Sequence, residues 1–206
     1  MFTGIITETG KVKRIKNFEG GKELNIECSF AGDTHKDESI AVNGVCLTVV
    51  DKDENSFKIQ CVEETLRKTT LGNLSEGKIV NLERSLTIDK AIDGHIVQGH
   101  VDTVGTISTI VTKGNDRLIS IKFLDSYSPY IVGRGSIAVD GISLTIAREE
   151  ETEFTVAIIP YTWEYTNLRE KVEGDQVNLE FDIFGKYIVR YLDKHFQKEK
   201  LIHESL

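Results

Sequence analysis

Apolar positions fall in short runs of strand length along most of the chain. Within these runs β-branched residues are common and polar residues alternate with apolar ones. Turn-forming pairs such as Asn43-Gly44 and Asp140-Gly141 separate the runs, and they supply the positive φ that two-residue hairpin turns require. The pattern predicts an all-β protein with a small Greek-key barrel or sandwich in each half. A barrel is favoured because closure leaves no exposed strand edges.

The tail follows a different pattern, with the i, i+3, i+4, i+7 spacing of one helical face. This spacing predicts a single amphipathic helix, and two settings for its apolar stripe stay open: docking on the chain's own barrel, or packing against copies of itself in an oligomer. The stripe consists of Phe184, Tyr187, Ile188, Tyr191, Leu192 and Phe196.

The chain repeats itself at an offset of 97 residues. Residues 39–48 and 136–145 are identical at seven of ten positions, and the same offset aligns residues 77–83 with residues 174–180. With a shift of two residues, Gly4 falls on Gly99. Such a period is too long for a solenoid, so we expect an internal duplication. The expected units are domains at 1–95 and 96–183, followed by a helix and tail at 184–206.

Composition narrows the classes of function. The chain has a formal net charge of -8, and no cluster of Lys or Arg stands out, which argues against nucleic-acid binding. The longest apolar stretches are strand-sized and the N-terminus lacks the features of a signal peptide, so we expect no membrane contact and a cytoplasmic location. Three cysteines without CxxC spacing indicate free thiols rather than disulfides or a zinc site.

Two histidines lie in the most polar segment of the chain, residues 94–102. His95 and His100 are five residues apart and would point to opposite faces of a regular strand, so we expect no shared metal. Either imidazole could transfer protons near neutral pH. The chain has no GxSxG, P-loop or GxGxxG motif after a strand, which favours a reaction without a cofactor.

Cys46 and Ser143 occupy the same place in the two repeats, and each is followed by Leu and Thr. Residues two apart on a strand face the same side, so Cys46 lies with Thr48, and Ser143 with Thr145. Small polar groups in this arrangement suit a pocket wall. The alternative is ordinary packing, since Cys behaves as a small hydrophobic residue and Thr is common in strands.

Together these blocks resemble the riboflavin synthase family of the alpha-chain type. The similarity runs over nearly the whole chain, including the N-terminal Phe-Thr-Gly-Ile, both Gly-x-[Cys/Ser]-Leu-Thr repeats and the segment from Gly94-His95 to Gly99-His100. The resemblance implies two six-stranded Greek-key β-barrels, each binding one lumazine, and a C-terminal helix through which three subunits form a homotrimer. An association with lumazine synthase is a further expectation.

The resemblance also implies an enzyme, a transferase acting at the last step of riboflavin biosynthesis. Two molecules of 6,7-dimethyl-8-ribityllumazine would exchange a four-carbon unit, giving riboflavin and 5-amino-6-ribitylaminouracil, without metal or cofactor. The alternative is a non-enzymatic lumazine- or flavin-binding protein of the same fold. Retention of His95, His100, Cys46 and Ser143 together favours the enzyme.

The family's functional positions transfer to this sequence residue by residue. The expected contributors to proton transfer or acceptor activation are His100, Cys46, Ser143, Thr145 and Asp182. The N-terminal pocket would use Gly4, Ile5, Ile6, Ser39, Cys46, Leu47, Thr48, Gln60, Cys61, Val62, Glu63, Glu64, Thr65, Gly99, His100 and Val101. The C-terminal pocket would use Arg134, Ser143, Leu144, Thr145, Ala157, Ile158, Ile159, Pro160, Tyr161 and Thr162.

Two departures from the family pattern concern the C-terminal pocket. Arg134 stands where a Lys is usual, so a cation is kept but as a planar donor set. Tyr161, Trp163 and Tyr165 make the following segment more aromatic than is common, which predicts different substrate packing there.

Overall fold

The computed structural model describes the backbone of residues 1–204 and the side chains of residues 1–195. Each half contributes six strands and one short α-helix. The N-terminal half contains β1 (Glu8–Phe18), β2 (Gly21–Glu27), β3 (Ser39–Val42), β4 (Val45–Lys52), β5 (Ser56–Val62), α1 (Glu63–Lys68) and β6 (Ile79–Arg84). The C-terminal half contains β7 (Thr103–Lys113), β8 (Asp116–Lys122), β9 (Ser136–Val139), β10 (Ile142–Glu149), β11 (Glu153–Ile158), α2 (Pro160–Tyr165) and β12 (Gln176–Phe181).

Both sets of strands close into antiparallel barrels of the same topology. The first barrel has the order β1-β2-β5-β4-β3-β6, and the second repeats it as β7-β8-β11-β10-β9-β12. The predicted all-β fold with two similar six-stranded barrels is therefore confirmed. Four 3-10 turns, the longest at Asp125–Tyr130, link strands within the halves.

Alternation along each strand sends one set of side chains into its barrel. On β4, Val45, Leu47 and Val49 are buried, whereas Cys46 is half-buried and Thr48 exposed. The inward residues form one apolar core per barrel. A small third cluster of Phe2, Ala41, Val97 and Ala138 lies between the barrels and ties them together.

The two barrels meet at their equivalent hairpin turns. Asn43 (φ 46°) and Gly44 (φ 75°) form the β3–β4 turn, and Asp140 (φ 45°) and Gly141 (φ 81°) form the β9–β10 turn. The positive φ values match the predicted two-residue turns. A Cβ on Gly44 would lie 2.6 Å from the backbone nitrogen of Gly141, so this contact requires glycine.

A buried polar network surrounds these turns. The Asn167 amide nitrogen donates to the side chains of Asn43 and Asp140, at 3.2 and 2.8 Å, and Asn81 donates to Asn167 at 2.9 Å. Lys171 Nζ lies 3.2 Å from the Asp140 carboxylate. Because the bonds of Asn167 with Asn43 and with Asn81 join the two halves, the network fixes the relative position of the barrels.

The helix α3 (Ile183–Glu204) follows β12. Asp182 caps it by accepting the N–H of Phe184 at 2.9 Å. Phe184, Tyr187, Ile188 and Tyr191 on its apolar stripe are all exposed, so the stripe does not dock on the chain's own barrel. That alternative is wrong, and packing against copies stays a prediction. The side chain of Phe196 lies outside the described residues.

None of the helices within residues 1–204 is both long and apolar enough to span a bilayer.

Candidate functional site

An open slot flanks β4 in the N-terminal barrel. The ladder between β4 and β5 ends at Val49↔Ile59, so the earlier residues of β4 pair only with β3. Cys46 donates its N–H away from β3, to the carbonyl of Gly99 at 2.9 Å. Since backbone groups two residues apart point the same way, Thr48 directs its N–H and C=O into the slot.

The opposite wall of this slot is the end of β5. Glu63 donates its N–H to Gly20, on the β2 side. The even-numbered neighbours Gln60 and Val62 therefore present their backbone groups toward β4, and their side chains are exposed. The slot is a gap between two strands with hydrogen-bonding groups on both sides.

The C-terminal barrel has the same slot. The ladder between β10 and β11 ends at Ile146↔Val156, and Ser143 donates its N–H to the carbonyl of Gly4 at 2.8 Å. By the same reasoning Thr145 and Ala157 face the gap. Both threonines are exposed on the outer surface of their strands.

Two chain segments cross between the barrels to border these slots. Residues 98–101 run beside β4, and Val101 packs against the N-terminal core. Residues 3–6 run beside β10, and Ile6 packs against the C-terminal core. The expectation that Gly4, Ile5 and Ile6 lie in the N-terminal pocket is therefore wrong. They border the C-terminal slot, because the chain reaches β10 before it turns back into β1.

Two buried glutamates hold the crossing segments in place. Glu83 accepts the N–H groups of Thr3 and Gly4 at 2.7 and 3.0 Å. Its counterpart Glu180 accepts those of Gln98, Gly99 and His100 at 2.6, 2.9 and 2.9 Å. Each carboxylate thus belongs to one barrel while it orders the segment that borders the other barrel's slot.

Burial raises the pKa of both carboxyl groups above the ordinary glutamate value. The N–H donors oppose that rise, through Thr3 and Gly4 for the pKa of Glu83 and through Gln98 and Gly99 for that of Glu180. Hydrogen bonds from several N–H groups to one carboxyl group are typical of its ionised form.

His95 contacts Ser143 in the C-terminal slot. Its Nδ1 lies 2.7 Å from the serine Oγ, and its Nε2 is enclosed without a hydrogen-bond partner among residues 1–195. Burial lowers the pKa of His95, while the nearby Asp182 carboxylate acts in the opposite direction. A neutral imidazole in this position can accept the serine proton.

His100 lies on the other side of Gly99, beside the N-terminal slot, and is exposed. The Gly99–Cys46 hydrogen bond brings this segment alongside Cys46, as a tertiary contact that the sequence left undetermined. His95 and His100 therefore lie beside opposite slots. Gly99 has φ 80°, so the segment is a kinked connection and not the regular strand that we assumed.

The remaining predicted residues divide by the direction of their side chains. Leu47, Cys61 and Ile158 point into the barrel cores, so they can offer a ligand only backbone groups. Burial also raises the pKa of Cys61 to about 12, which keeps that thiol protonated. Ser39 pairs with Thr48, and the exposed Arg134 donates its backbone N–H to Ile146, one residue beyond Thr145.

A cavity of about 490 Å³ opens beside the C-terminal slot. Its lining includes the predicted residues Ile5, Ser143, Tyr161 and Thr162, and also Tyr165. Thr166 and Arg169 line it as well, and sequence reasoning missed these two because they carry no motif. His95 is not among the predicted catalytic residues, and neither are Glu83 and Glu180, the last residues of the second repeated block.

A larger cleft of about 800 Å³ lies between the 3-10 loops after α1 and α2. Its lining includes Thr70, Lys78 and Lys171 but none of the predicted site residues. Size therefore does not identify the reactive site here. Among residues 1–195 no three His, Cys, Asp or Glu side chains are grouped as metal ligands would be.

Comparison with known proteins agrees with the duplicated architecture. A family model described as a lumazine binding domain matches the chain twice, at residues 3–85 and 98–182. Riboflavin synthases of Bacillus subtilis (strain 168) and Actinobacillus pleuropneumoniae are each 43% identical over 195 residues, covering 94% of this chain and 91% of the relative. That of Mycobacterium tuberculosis (strain ATCC 25618 / H37Rv) is 41% identical over 197 residues, covering 93% and 98%.

Solved structures show the same fold at lower identity. LumP complexed with riboflavin has a TM-score of 0.82 at 23% identity, covering 88% of this chain and 99% of LumP. LumP complexed with 6,7-dimethyl-8-(1'-D-ribityl) lumazine has a TM-score of 0.80 at the same identity and coverage.

Proposed function

The chain belongs to the riboflavin synthase family, and from this membership we propose how its two slots carry out the family's reaction. That reaction is the dismutation of two 6,7-dimethyl-8-ribityllumazine molecules into riboflavin and 5-amino-6-ribitylaminouracil. The alternative, a binding protein without turnover, is not favoured. The relatives named riboflavin synthase are 39–43% identical, whereas LumP is 23% identical.

The observation that carries the proposal is the pair of equivalent slots. The dione edge of a lumazine presents C=O, N–H and C=O in a row, which is the pattern of a short piece of strand. It fits between strands whose ladder has stopped, at Thr48 opposite Gln60 and at Thr145 opposite Ala157. Each slot would hold one ring by backbone hydrogen bonds, which leaves its methyl groups free to react.

Proton transfer in the C-terminal half is assigned to Ser143 and His95. With Nδ1 2.7 Å from Oγ, the neutral imidazole takes the serine proton as Oγ adds to a ring carbon of the lumazine, and the electron pair of the carbon–nitrogen double bond moves onto the ring. The nearby Asp182 carboxylate favours the imidazolium that results. Thr145 lies two residues along the same face and offers a further hydroxyl.

The N-terminal half uses different groups for the same kind of step. Cys46 lines its slot where Ser143 lines the other, and His100 is the exposed imidazole beside it. A base here would remove a proton from the acidified 7-methyl group of the bound lumazine. Placing two rings in fixed positions supplies a large share of the rate increase, because it removes the entropy cost of a bimolecular encounter.

Four broader features are part of the proposal. The two lumazine-binding domains are taken as 1–95 and 96–183, and residues 3–6 of the first domain border the slot of the second. The exposed apolar stripe of α3 supports assembly through this helix, and we propose a homotrimer. A cytoplasmic location and an association with lumazine synthase also remain proposals.

The deciding experiment is incubation of the purified protein with 6,7-dimethyl-8-ribityllumazine alone. We expect riboflavin absorbance to appear at one mole per two moles of substrate consumed, without added metal or cofactor. Tight binding without turnover would instead establish the carrier function and remove the catalytic assignments.

A further inference from the structure

The helices α1 and α2 occupy equivalent places beside the two slots but present different chemistry. Each follows an extended residue at the end of its strand, Val62 or Ile159. At the offset of 97, Glu64 corresponds to Tyr161 and Lys68 to Tyr165. The duplication has therefore kept the helix and replaced the side chains that face outward near each slot.

In the N-terminal half these positions form an ion-paired surface. The Glu64 carboxylate lies 2.7 Å from Lys68 Nζ and 2.7 Å from Arg67 Nη2. Hydrogen bonds from these two cations hold the pKa of Glu64 at about 2, so it stays ionised. Exposed ion pairs of this kind keep their hydration and present no aromatic ring to a flat ligand.

In the C-terminal half the same positions form an aromatic surface. The rings of Tyr161 and Tyr165 are 4.6 Å apart, and these residues are 68% and 60% exposed at the border of the 490 Å³ cavity that also includes Ser143. Trp163 anchors α2 by packing on the C-terminal core, and the Arg117 guanidinium lies 4.2 Å over its ring. The exposed tyrosines are thus held on a fixed support.

We infer that Tyr161 and Tyr165 form a stacking wall that makes the C-terminal slot the tighter of the two for the flat rings of substrate and product. This inference rests on the proposed function. Stacking buries aromatic surface that is otherwise left in water and adds a ring–ring attraction. The two slots therefore fill in order, the C-terminal one first, and riboflavin competes with substrate chiefly in that half.

The test is a calorimetric titration of the full chain with riboflavin. Wild-type protein should show two classes of site. The double variant Tyr161→Glu/Tyr165→Lys reproduces the N-terminal pair at i, i+4 spacing, which supports the helix. It should weaken the tight class by about tenfold, whereas Tyr161→Phe/Tyr165→Phe, which keeps both rings, should preserve the tight class.

A matched control is Glu151→Lys, which changes charge at the far end of the β10–β11 hairpin and should leave both classes as they are. The reciprocal variant Glu64→Tyr/Lys68→Tyr tests the same idea without altering α2, and should tighten the weaker class. The inference is overturned if riboflavin affinities are unchanged in Tyr161→Glu/Tyr165→Lys and in Glu64→Tyr/Lys68→Tyr. It is also overturned if Tyr161→Phe/Tyr165→Phe weakens the tight class as much as Tyr161→Glu/Tyr165→Lys does.

Failure of the inference can be told apart from failure of the proposed function. If wild-type protein converts lumazine to riboflavin but its slots are equal and insensitive to the tyrosines, only the stacking wall is wrong. If it neither binds riboflavin nor turns over lumazine, the function itself is wrong.

Discussion

Replacing Gly99 by Ala should destabilise the protein far more than replacing Gly77 by Ala, although both residues have positive φ, 80° and 88°. A Cβ at Gly77 meets nothing within 4 Å, whereas one at Gly99 would lie 2.5 Å from Cys46 Cβ and 2.8 Å from its nitrogen. The comparison therefore distinguishes two contributions to the loss of stability: the strain of a positive φ, and the displacement of the crossing segment from β4.

The magnitudes follow from these contacts. A non-glycine residue in the left-handed region costs about 1–2 kcal/mol, and this applies to both variants. Overpacking at Gly99 adds about 1–3 kcal/mol, and loss of the Cys46–Gly99 hydrogen bond adds about 1 kcal/mol. We expect Gly99→Ala to be less stable than Gly77→Ala by about 3 kcal/mol. For a chain of this size the melting temperature should fall by about a further 6–12 °C.

Urea denaturation and calorimetry of both variants measure the difference, and turnover measures its effect on the slot. Gly99→Ala should also lose turnover, because the segment carrying His100 moves away from Cys46, whereas Gly77→Ala should retain it. Equal stability losses in the two variants, together with normal turnover in Gly99→Ala, would refute the close approach of this segment to β4.

Three other substitutions test separate parts of the site. Glu180→Gln places an NH2 group against the backbone donors of residues 98–100, so it should lower the free energy of unfolding by about 2–3 kcal/mol and reduce turnover. Urea denaturation measures the loss, and wild-type stability in this variant would contradict the role of Glu180 in holding that segment. His95→Gln should flatten the pH dependence of stability below about pH 6.5. Burial lowers the pKa of His95 in the folded state, so the wild-type protein loses stability as the pH falls below the unfolded-state pKa of this histidine. An unchanged slope in the variant would show that other groups cause the pH dependence. Asn167→Ala removes one buried donor from each of Asp140 and Asn43 and takes away the side-chain oxygen that accepts from Asn81, so it should cost about 2–4 kcal/mol. Denaturation checks this against Asn73→Ala on the exposed loop, and equal stability of the two variants would contradict it.

Much of the fold could be predicted because it rests on local patterns. Alternation along the strands and the Asn43-Gly44 and Asp140-Gly141 turns are visible in the sequence. The repeat at an offset of 97 residues indicates that the two halves have the same fold. Barrel closure followed from the general cost of exposed edges. The helix after β12 was equally visible from its 3.6-residue spacing.

The site was less predictable because its contacts are tertiary. The resemblance placed Gly4, Ile5 and Ile6 in the N-terminal pocket, yet Gly4 accepts the N–H of Ser143 in the other barrel. His95 carried no motif, and only the fold places it against a serine. Glu83 and Glu180 did carry a signal, since each ends a repeated block on a strand, where a buried carboxylate needs a partner.

Duplication has preserved the slot but not the reactive groups. Dismutation of two identical molecules requires two similar binding sites, yet one molecule must donate the four-carbon unit and the other accept it. The slots match because Cys46 and Ser143 hold crossing segments in the same way, through Gly99 and Gly4. The reactive groups differ, since the position equivalent to His100 is occupied by Ile5. Because Glu83 and Glu180 each clamp the segment that borders the other barrel's slot, a change in either clamp disturbs the slot of the opposite half.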